Sequence, residues 1–348
     1  MIIDRISLPI VLAPMAGGPS TPELTAAVTD AGGLGLLAAG YLGAEQAAER
    51  IAAVRELTSG PFGVNLFAPG PASAPAAYAE YLAALGARFE LSPARHDSDG
   101  WSAKLELLVR EPVPVVTVTF GCPEAAEIER LHGVGTEIWV TVTSAFEAEL
   151  AAAAGADVLV VQGAEAGGHR AVFRDDVADD ATDPLGLLAL LQVVGAAVEL
   201  PLVATGGLTT GAGIAGALAA GAVAAQVGTA YLRSPEAGTN AVHRAAIGGA
   251  APTALTRAFT GRRARGIRNA FMAEFGASAP VAYPEIHYAT AGLRAAARAA
   301  GNPDAVNLWA GQAHTLAPEL PAGELTRKLA AEAKDALKRA LSRGFRAR

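Results

Sequence analysis

Short apolar runs recur along the first two-thirds of the chain, each followed by a longer amphipathic or alanine-rich stretch. The runs at residues 9–14, 34–39, 62–67, 113–119, 137–143, 157–162, 201–205 and 224–227 predict strands, most of them short enough and apolar enough to be buried on both faces. Helices are predicted between them, the first opened by Thr21-Pro22-Glu23 (a capping hydroxyl and a proline at the first helical position) and stopped by Gly32-Gly33. Further helices are expected at 43–57, 76–86, 101–110, 124–131, 146–154, 184–198 and 212–220. Residues 68–75, rich in proline and alanine, cannot be regular and predict a long loop.

Eight strand-then-helix units predict a parallel sheet, and their number predicts closure into an α/β (β/α)8 TIM barrel over residues 1–230, with a doubly wound open sheet as the alternative. Residues 231–284, basic in places, are expected to form a small helical addition on the substrate side. Helices at 289–300 and 325–345, within a C-terminal segment from about residue 285 to 348, are expected to pack on the outside of the barrel.

The chain has 348 residues, 51% of them hydrophobic, enough for a barrel with a large core and an addition. A formal charge of −7 argues against a nucleic-acid partner, which calls for a basic stripe. Cys122 is the single cysteine, so an intrachain disulfide and a cysteine-based zinc site are excluded. No basic segment followed by an apolar one opens the sequence, and the longest apolar stretch, 185–204, is interrupted by Gln192, Glu199 and Pro201. The expectation is a cytoplasmic protein without a membrane span. Its C-terminal helices suit packing on the barrel or on a second copy, which leaves a homo-oligomer open.

In such a barrel, chemistry gathers at the C-terminal ends of the strands. The sixth strand delivers Gln162, then a loop of small residues, Gly163 to Gly168, and then His169, the one side chain there that exchanges protons near neutral pH. Bare backbone at Gly167 and Gly168 lets a flat or anionic ligand approach its N–H groups. The seventh and eighth strands end in Thr205-Gly-Gly207 and Gln226-Val-Gly-Thr229, the pair of loops that commonly binds phosphate in barrels. Gly206, Gly207, Gly228 and Thr229 are therefore expected to hold the terminal phosphate of a nucleotide-like cofactor. Asn65 and Gln162 offer donors and acceptors to the edge of a heteroaromatic ring, with Met15 facing it from the first strand.

Six segments fall in one order: Ala13-Pro-Met-Ala-Gly-Gly18, Ala31-Gly-Gly-Leu-Gly35, Gly63-Val-Asn-Leu-Phe67, Gln162-Gly-Ala-Glu-Ala-Gly-Gly-His-Arg170, Ala204-Thr-Gly-Gly207 and Gln226-Val-Gly-Thr229. Together they resemble the nitronate monooxygenases, formerly 2-nitropropane dioxygenases, a family of FMN-dependent TIM barrels. The likeness runs over about residues 9–271 and includes Arg257-Ala-Phe-Thr-Gly-Arg262 and Arg265-Gly-Ile-Arg-Asn269. It implies FMN bound by Asn65, Gln162, Gly167, Gly168, Gly206, Gly207, Gln226, Val227, Gly228 and Thr229, with Met15 and Ala16 near the ring and His169 as the active-site histidine. It implies oxidation of alkyl nitronates such as propionate 3-nitronate by O2 to a carbonyl compound and nitrite, without nicotinamide. His169 would either hydrogen-bond the nitro oxygens or act as base toward a neutral nitroalkane. Three positions depart from the family: Ala171 where a glycine usually follows Arg170, Val11-Leu12 where many members carry a glutamine, and Arg263 where a proline or small residue is usual.

Other chemistry-bearing residues have plainer explanations. His96, His132, His243, His287 and His314 lack metal-ligand spacing and are expected at the surface or in packing, so no metal is expected. Cys122 reads as a small filler near the top of the fourth strand rather than a nucleophile. Glu165 reads as a loop anchor, Asp175-Asp176 and Asp179-Asp180 as a solvated loop, and the arginines of 257–268 either as a grip on an anion or as a solvated or subunit-facing patch. Two alternatives remain: an NAD(P)H-dependent FMN reductase (quinone or enoyl-ACP) on the same scaffold, and a non-catalytic barrel that binds a phosphorylated small molecule.

Overall fold

In the computed structural model, which describes residues 1–176 and 183–344, the eight apolar runs become strands, and a two-residue strand at Gly168–His169 makes nine up to residue 227. They are β1 (Ile10–Leu12), β2 (Gly35–Ala38), β3 (Phe62–Phe67), β4 (Val115–Thr119), β5 (Glu137–Val142), β6 (Val158–Gln162), β7 (Gly168–His169), β8 (Leu202–Thr205) and β9 (Ala224–Val227). All but the two-residue β7 join one parallel sheet in the order β1-β9-β8-β6-β5-β4-β3-β2. The two ends meet: Leu12 N–H donates to Leu34 O and Leu34 N–H to Ile10 O, each at 2.9 Å. The sheet is therefore a (β/α)8 barrel, and the open-sheet alternative falls.

Val11, Leu34, Leu36, Val115, Trp139, Val158, Val160, Val203 and Ala224 pack together with no helical residue among them, so they fill the barrel's interior. Ile2 closes the N-terminal end, its N–H bonded to Glu137 Oε1 at 2.6 Å. Around the barrel run α1 (Pro22–Asp30), α2 (Ala44–Leu57), α3 (Ala79–Gly86), α4 (Trp101–Arg110), α5 (Ala125–His132), α6 (Ala145–Ala154), α7 (Leu187–Ala197) and α8 (Gly211–Ala219). Thr21 caps α1 as expected, accepting from Leu24 N–H at 3.0 Å. Helix α1 lies so close to β2 that a Cβ at Gly35 would overlap the Thr25 carbonyl oxygen. No helix among the described residues is long and apolar enough to cross a membrane.

Residues 231–284 differ from the helical expectation. Besides α9 (Ala241–Ala246) and α10 (Ala270–Phe275) they hold an antiparallel hairpin, β10 (Thr253–Thr256) and β11 (Ala264–Ile267), which pairs with β7 so that Ala264 stands opposite His169. Arginines at 257, 262 and 265 disguise this in the sequence, because arginine is ordinarily counted as solvent-facing while these three are buried. After α11 (Glu285–Ala289), α12 (Ala291–Ala299) is not on the outside either; Ala291, Arg294 and Arg298 line the cavity at the C-terminal end of the barrel. Helix α13 (Ala322–Gly344) does pack externally, against α1 and α8.

Candidate active site

A cavity of about 480 Å³ opens at the C-terminal ends of the strands. Met15, Ala16, Asn65, Gln162, Gly167, Gly168, His169, Gly206, Gly207, Gln226, Gly228 and Thr229 all line it. Val227 does not: it lies in the core, its carbonyl accepting from Ala13 N–H at 2.8 Å. Alternation along β9 explains this, since adjacent side chains of a strand point to opposite faces.

Asn65 and Gln162 are held differently. Asn65 Nδ2 donates to Thr117 Oγ1 at 2.9 Å and Thr119 Oγ1 at 3.0 Å, which fixes the amide and leaves its buried Oδ1 without a protein partner. Gln162 spends its amide on its own loop, Nε2 donating to His169 O and Oε1 accepting from Ala171 N–H, both at 3.0 Å. Arg170, buried beneath, donates to Gly163 O at 2.7 Å. The loop is thus clamped across its own ends. At Gly167 a Cβ would come within 2.5 Å of Ala310 C and Gly311 N, so only glycine lets residues 310–311 cross there. Gly206 and Gly207 take φ of 128° and 66°, left-handed values that side chains rarely adopt. Glu165 anchors the loop as expected, its carboxylate accepting from Leu187 N–H at the start of α7 at 3.0 Å.

His169 sits among the rings of Phe120, Tyr283 and Trp309, with centroids 5.5 to 5.6 Å away. Burial, then the charges of Arg262 and Arg294, pull its imidazole down to about 3, so it is neutral near pH 7. Its Nε2 lies 2.9 Å from Thr260 Oγ1. That hydroxyl donates to Arg262 O at 3.2 Å, so it is free to accept from the ring. The imidazole proton is thereby placed on Nε2, and Nδ1 keeps its lone pair.

Several lining residues carried no signal in their own spacing. Tyr41 lies in the turn after β2, its ring stacked on His287 at 4.1 Å and 6°. Arg294, buried, donates to His287 O at 2.7 Å and faces His287 Nδ1 at 3.4 Å. His287, expected in packing or at the surface, instead lines the cavity, and burial and Arg294 hold it well below the usual imidazole range. His243 also lines it, with Nε2 2.8 Å from Trp309 O and burial pulling the ring down to about 4. Arg294 is the exception: in α12, Ala291, Arg294 and Arg298 share one face at three- and four-residue spacing.

Within the run 257–268, Arg257, Arg262 and Arg265 are buried and stand outside the cavity's lining, while Arg268 is exposed. Arg257 pairs with Asp175 at 2.8 Å with both side chains buried, which also removes Asp175 from the solvated loop expected there. Asp179 and Asp180 lie outside the described residues. Arg262 stacks on Phe120 at 4.1 Å and donates to Val172 O, while Arg265 donates to Ala164 O at 2.9 Å. Cys122 is a half-buried filler whose thiol burial pushes up to about 11, away from nucleophilic use. Among the described residues no group of His, Cys, Asp and Glu could hold a metal ion.

The family model described as nitronate monooxygenase matches residues 2–332. A nitronate monooxygenase of Pseudomonas aeruginosa is 43% identical over 94% of this chain and 96% of its own length, and one of Paraburkholderia phytofirmans 41% identical over 95% and 94%. Among solved structures, a nitroalkane oxidase of Streptomyces ansochromogenes superposes with a TM-score of 0.95 at 47% identity, covering 98% of this chain and 99% of that one. FabK of Thermotoga maritima superposes with a TM-score of 0.75 at 26% identity, covering 98% and 97%.

Proposed function

The chain belongs to the nitronate monooxygenase family and is an oxidoreductase, and from that premise we propose that it oxidises alkyl nitronates such as propionate 3-nitronate, using FMN and O2, to a carbonyl compound and nitrite. One observation carries the reading: a neutral His169 under the influence of two guanidiniums, in the same cavity as an unpartnered Asn65 carbonyl.

The residues present fit FMN. Asn65 Oδ1 is a buried acceptor that a ring N–H would satisfy. Gly206, Gly207, Gly228 and Thr229 supply the bare strand ends suited to a phosphate, and Met15, Ala16, Gly167, Gly168 and Gln226 would complete the walls. When bound, FMN supplies the redox chemistry, taking electrons from the nitronate and passing them to O2. The chain's own share is electrostatic and positional. Arg294 and Arg262 favour an anion in the cavity, and the ring wall around His169 excludes water. Nδ1 of His169 accepts the proton when a neutral nitroalkane enters, while a nitronate arrives already deprotonated and needs no base.

The test is anaerobic mixing of the purified protein with propionate 3-nitronate, NADH and NADPH in separate experiments. Loss of flavin absorbance with the nitronate alone, followed by nitrite once air is admitted, is the expected result. Rapid loss with a nicotinamide and no response to nitronate would overturn it and leave the reductase alternative.

A further inference from the structure

Lys104, fully buried, and Asp99, whose side chain is 13% exposed, form an ion pair that neither the barrel nor the chemistry above accounts for. Lys104 is 1% exposed. Its ammonium donates to Asp99 Oδ2 at 2.6 Å and to Ala39 O at 2.8 Å. The other oxygen of the same carboxylate accepts from Tyr41 N–H at 2.7 Å. The pair thus grips residues 39 and 41, the turn that leaves β2. Tyr41 is held there at φ 67°, a left-handed conformation that a tyrosine rarely takes. Burying two charges is unfavourable against an apolar pair of the same volume, so stability alone does not explain the arrangement.

What the grip holds in place is the Tyr41 side chain. Its ring lines the cavity, stacked on His287, and its hydroxyl accepts from Tyr283 O–H at 3.1 Å. No protein acceptor for Tyr41's own O–H is found among the described residues, and burial pushes that phenol up to about 12, so it keeps its proton. A hydroxyl that already accepts one hydrogen bond donates the next more strongly. It stands in a wall whose fixed charges, Arg294 and Arg262, favour an anion.

We propose that Tyr41 donates a hydrogen bond to an oxygen of the nitronate, and that Asp99 and Lys104 are positioning residues that set Tyr41 from outside the cavity. The inference rests on the nitronate-oxidase reading of the site. Tyr41→Phe keeps the stacked ring and removes the hydroxyl, and with it the acceptor of the Tyr283 O–H. A lost hydrogen bond to a charged group predicts a fall in kcat/KM for propionate 3-nitronate of about ten- to a hundred-fold, with flavin content unchanged.

The positioning role is read from a double-mutant cycle. Removing both charges together, as Asp99→Gly with Lys104→Met, avoids stranding one of them, and glycine suits the φ of 57° at position 99. That double variant is expected to lose about as much as Tyr41→Phe in the wild-type background and less than about twofold in the Tyr41→Phe background. Asp99→Asn with Lys104→Met, which keeps an acceptor for Tyr41 N–H, is expected to restore most of the loss. Equal losses in both backgrounds, or an unaltered Tyr41→Phe, would overturn the proposal. A parallel titration with nitrate, a planar anion, read through flavin absorbance, separates the donor from the reaction it serves. If the wild-type protein oxidises no nitronate, the function fails, while a nitrate Kd raised about tenfold or more by Tyr41→Phe still supports the donor, and an unchanged Kd overturns it.

Discussion

His169 is half-buried at the cavity wall, where desolvation and the charges of two guanidiniums pull its imidazole down to about 3, and Thr260 decides which nitrogen keeps the single remaining proton. A base whose conjugate acid is that strong is ready at every physiological pH, so kcat/KM should show no ionisation from His169 between about pH 5 and pH 8. The ring gains a proton only as pH falls toward 3, well below this window. An acid limb near pH 6.5 that disappears in His169→Asn would refute the neutral site. Thr260→Val should let the ring turn and lose its fixed tautomer, lowering kcat/KM for a neutral nitroalkane by about tenfold or more, whereas Thr260→Ser should stay close to wild type. His169 itself was legible because the two glycines before it leave few structural reasons for an imidazole. Thr260 and Tyr41 were not, since a lone hydroxyl in a turn gains its meaning only from the atom it faces, 91 residues away in the case of Thr260 and His169.

At the level of elements, legibility followed burial. Strands buried on both faces, such as β6, announce themselves as apolar runs, and helices such as α1 carry their own cap and stop signals. The β10–β11 hairpin has neither advantage: β10 is only half-buried, and its partner β11 contains a buried arginine. Gln162 is an intermediate case. Its amide was recognised as a candidate ring contact, but the structure commits it to closing the His169 loop, a role that depends on the fold of residues 163–171. Helix α13 gives an element-level prediction. Leu325 and Leu329 face α1 and α8 in one apolar cluster, whereas Leu341 on the same helix is 65% exposed. Leu329→Ala should therefore cost about 3 kcal/mol, and Leu341→Ala less than about 0.5 kcal/mol, measured by urea unfolding. Equal costs would mean that α13 does not pack as described.

On the scale of the whole molecule, the groups assigned to binding and chemistry gather at one end of the barrel, where the strand ends, α9, α12 and residues 307–311 enclose a cavity with three histidines in its walls. Burial is the largest cause in each: His169 is pulled down to about 3, His243 to about 4, and His287 well below the usual range. In the unfolded chain all three return to about 6.5. Below that pH the unfolded state binds protons that the folded state refuses, so the stability they contribute is complete above about pH 6.5 and is lost as pH falls toward 4. Each histidine can contribute a slope of up to about 1.4 kcal/mol per pH unit. Asp99, whose carboxyl burial holds above its ordinary value, works in the opposite sense near the acid end, so the slope is best read between about pH 7 and pH 5. His243 offers the cleanest test, because its Nε2 bonds a backbone carbonyl and a glutamine amide can replace that donor without titrating. Urea unfolding across that range should show His243→Gln losing less stability on acidification than the wild type, by up to about 1.4 kcal/mol per pH unit. If the two proteins keep parallel pH profiles, His243 takes up its proton as readily in the folded state as in the unfolded one, and the desolvated, cationic character assigned to this end of the barrel would have to be given up along with its lowered pKa.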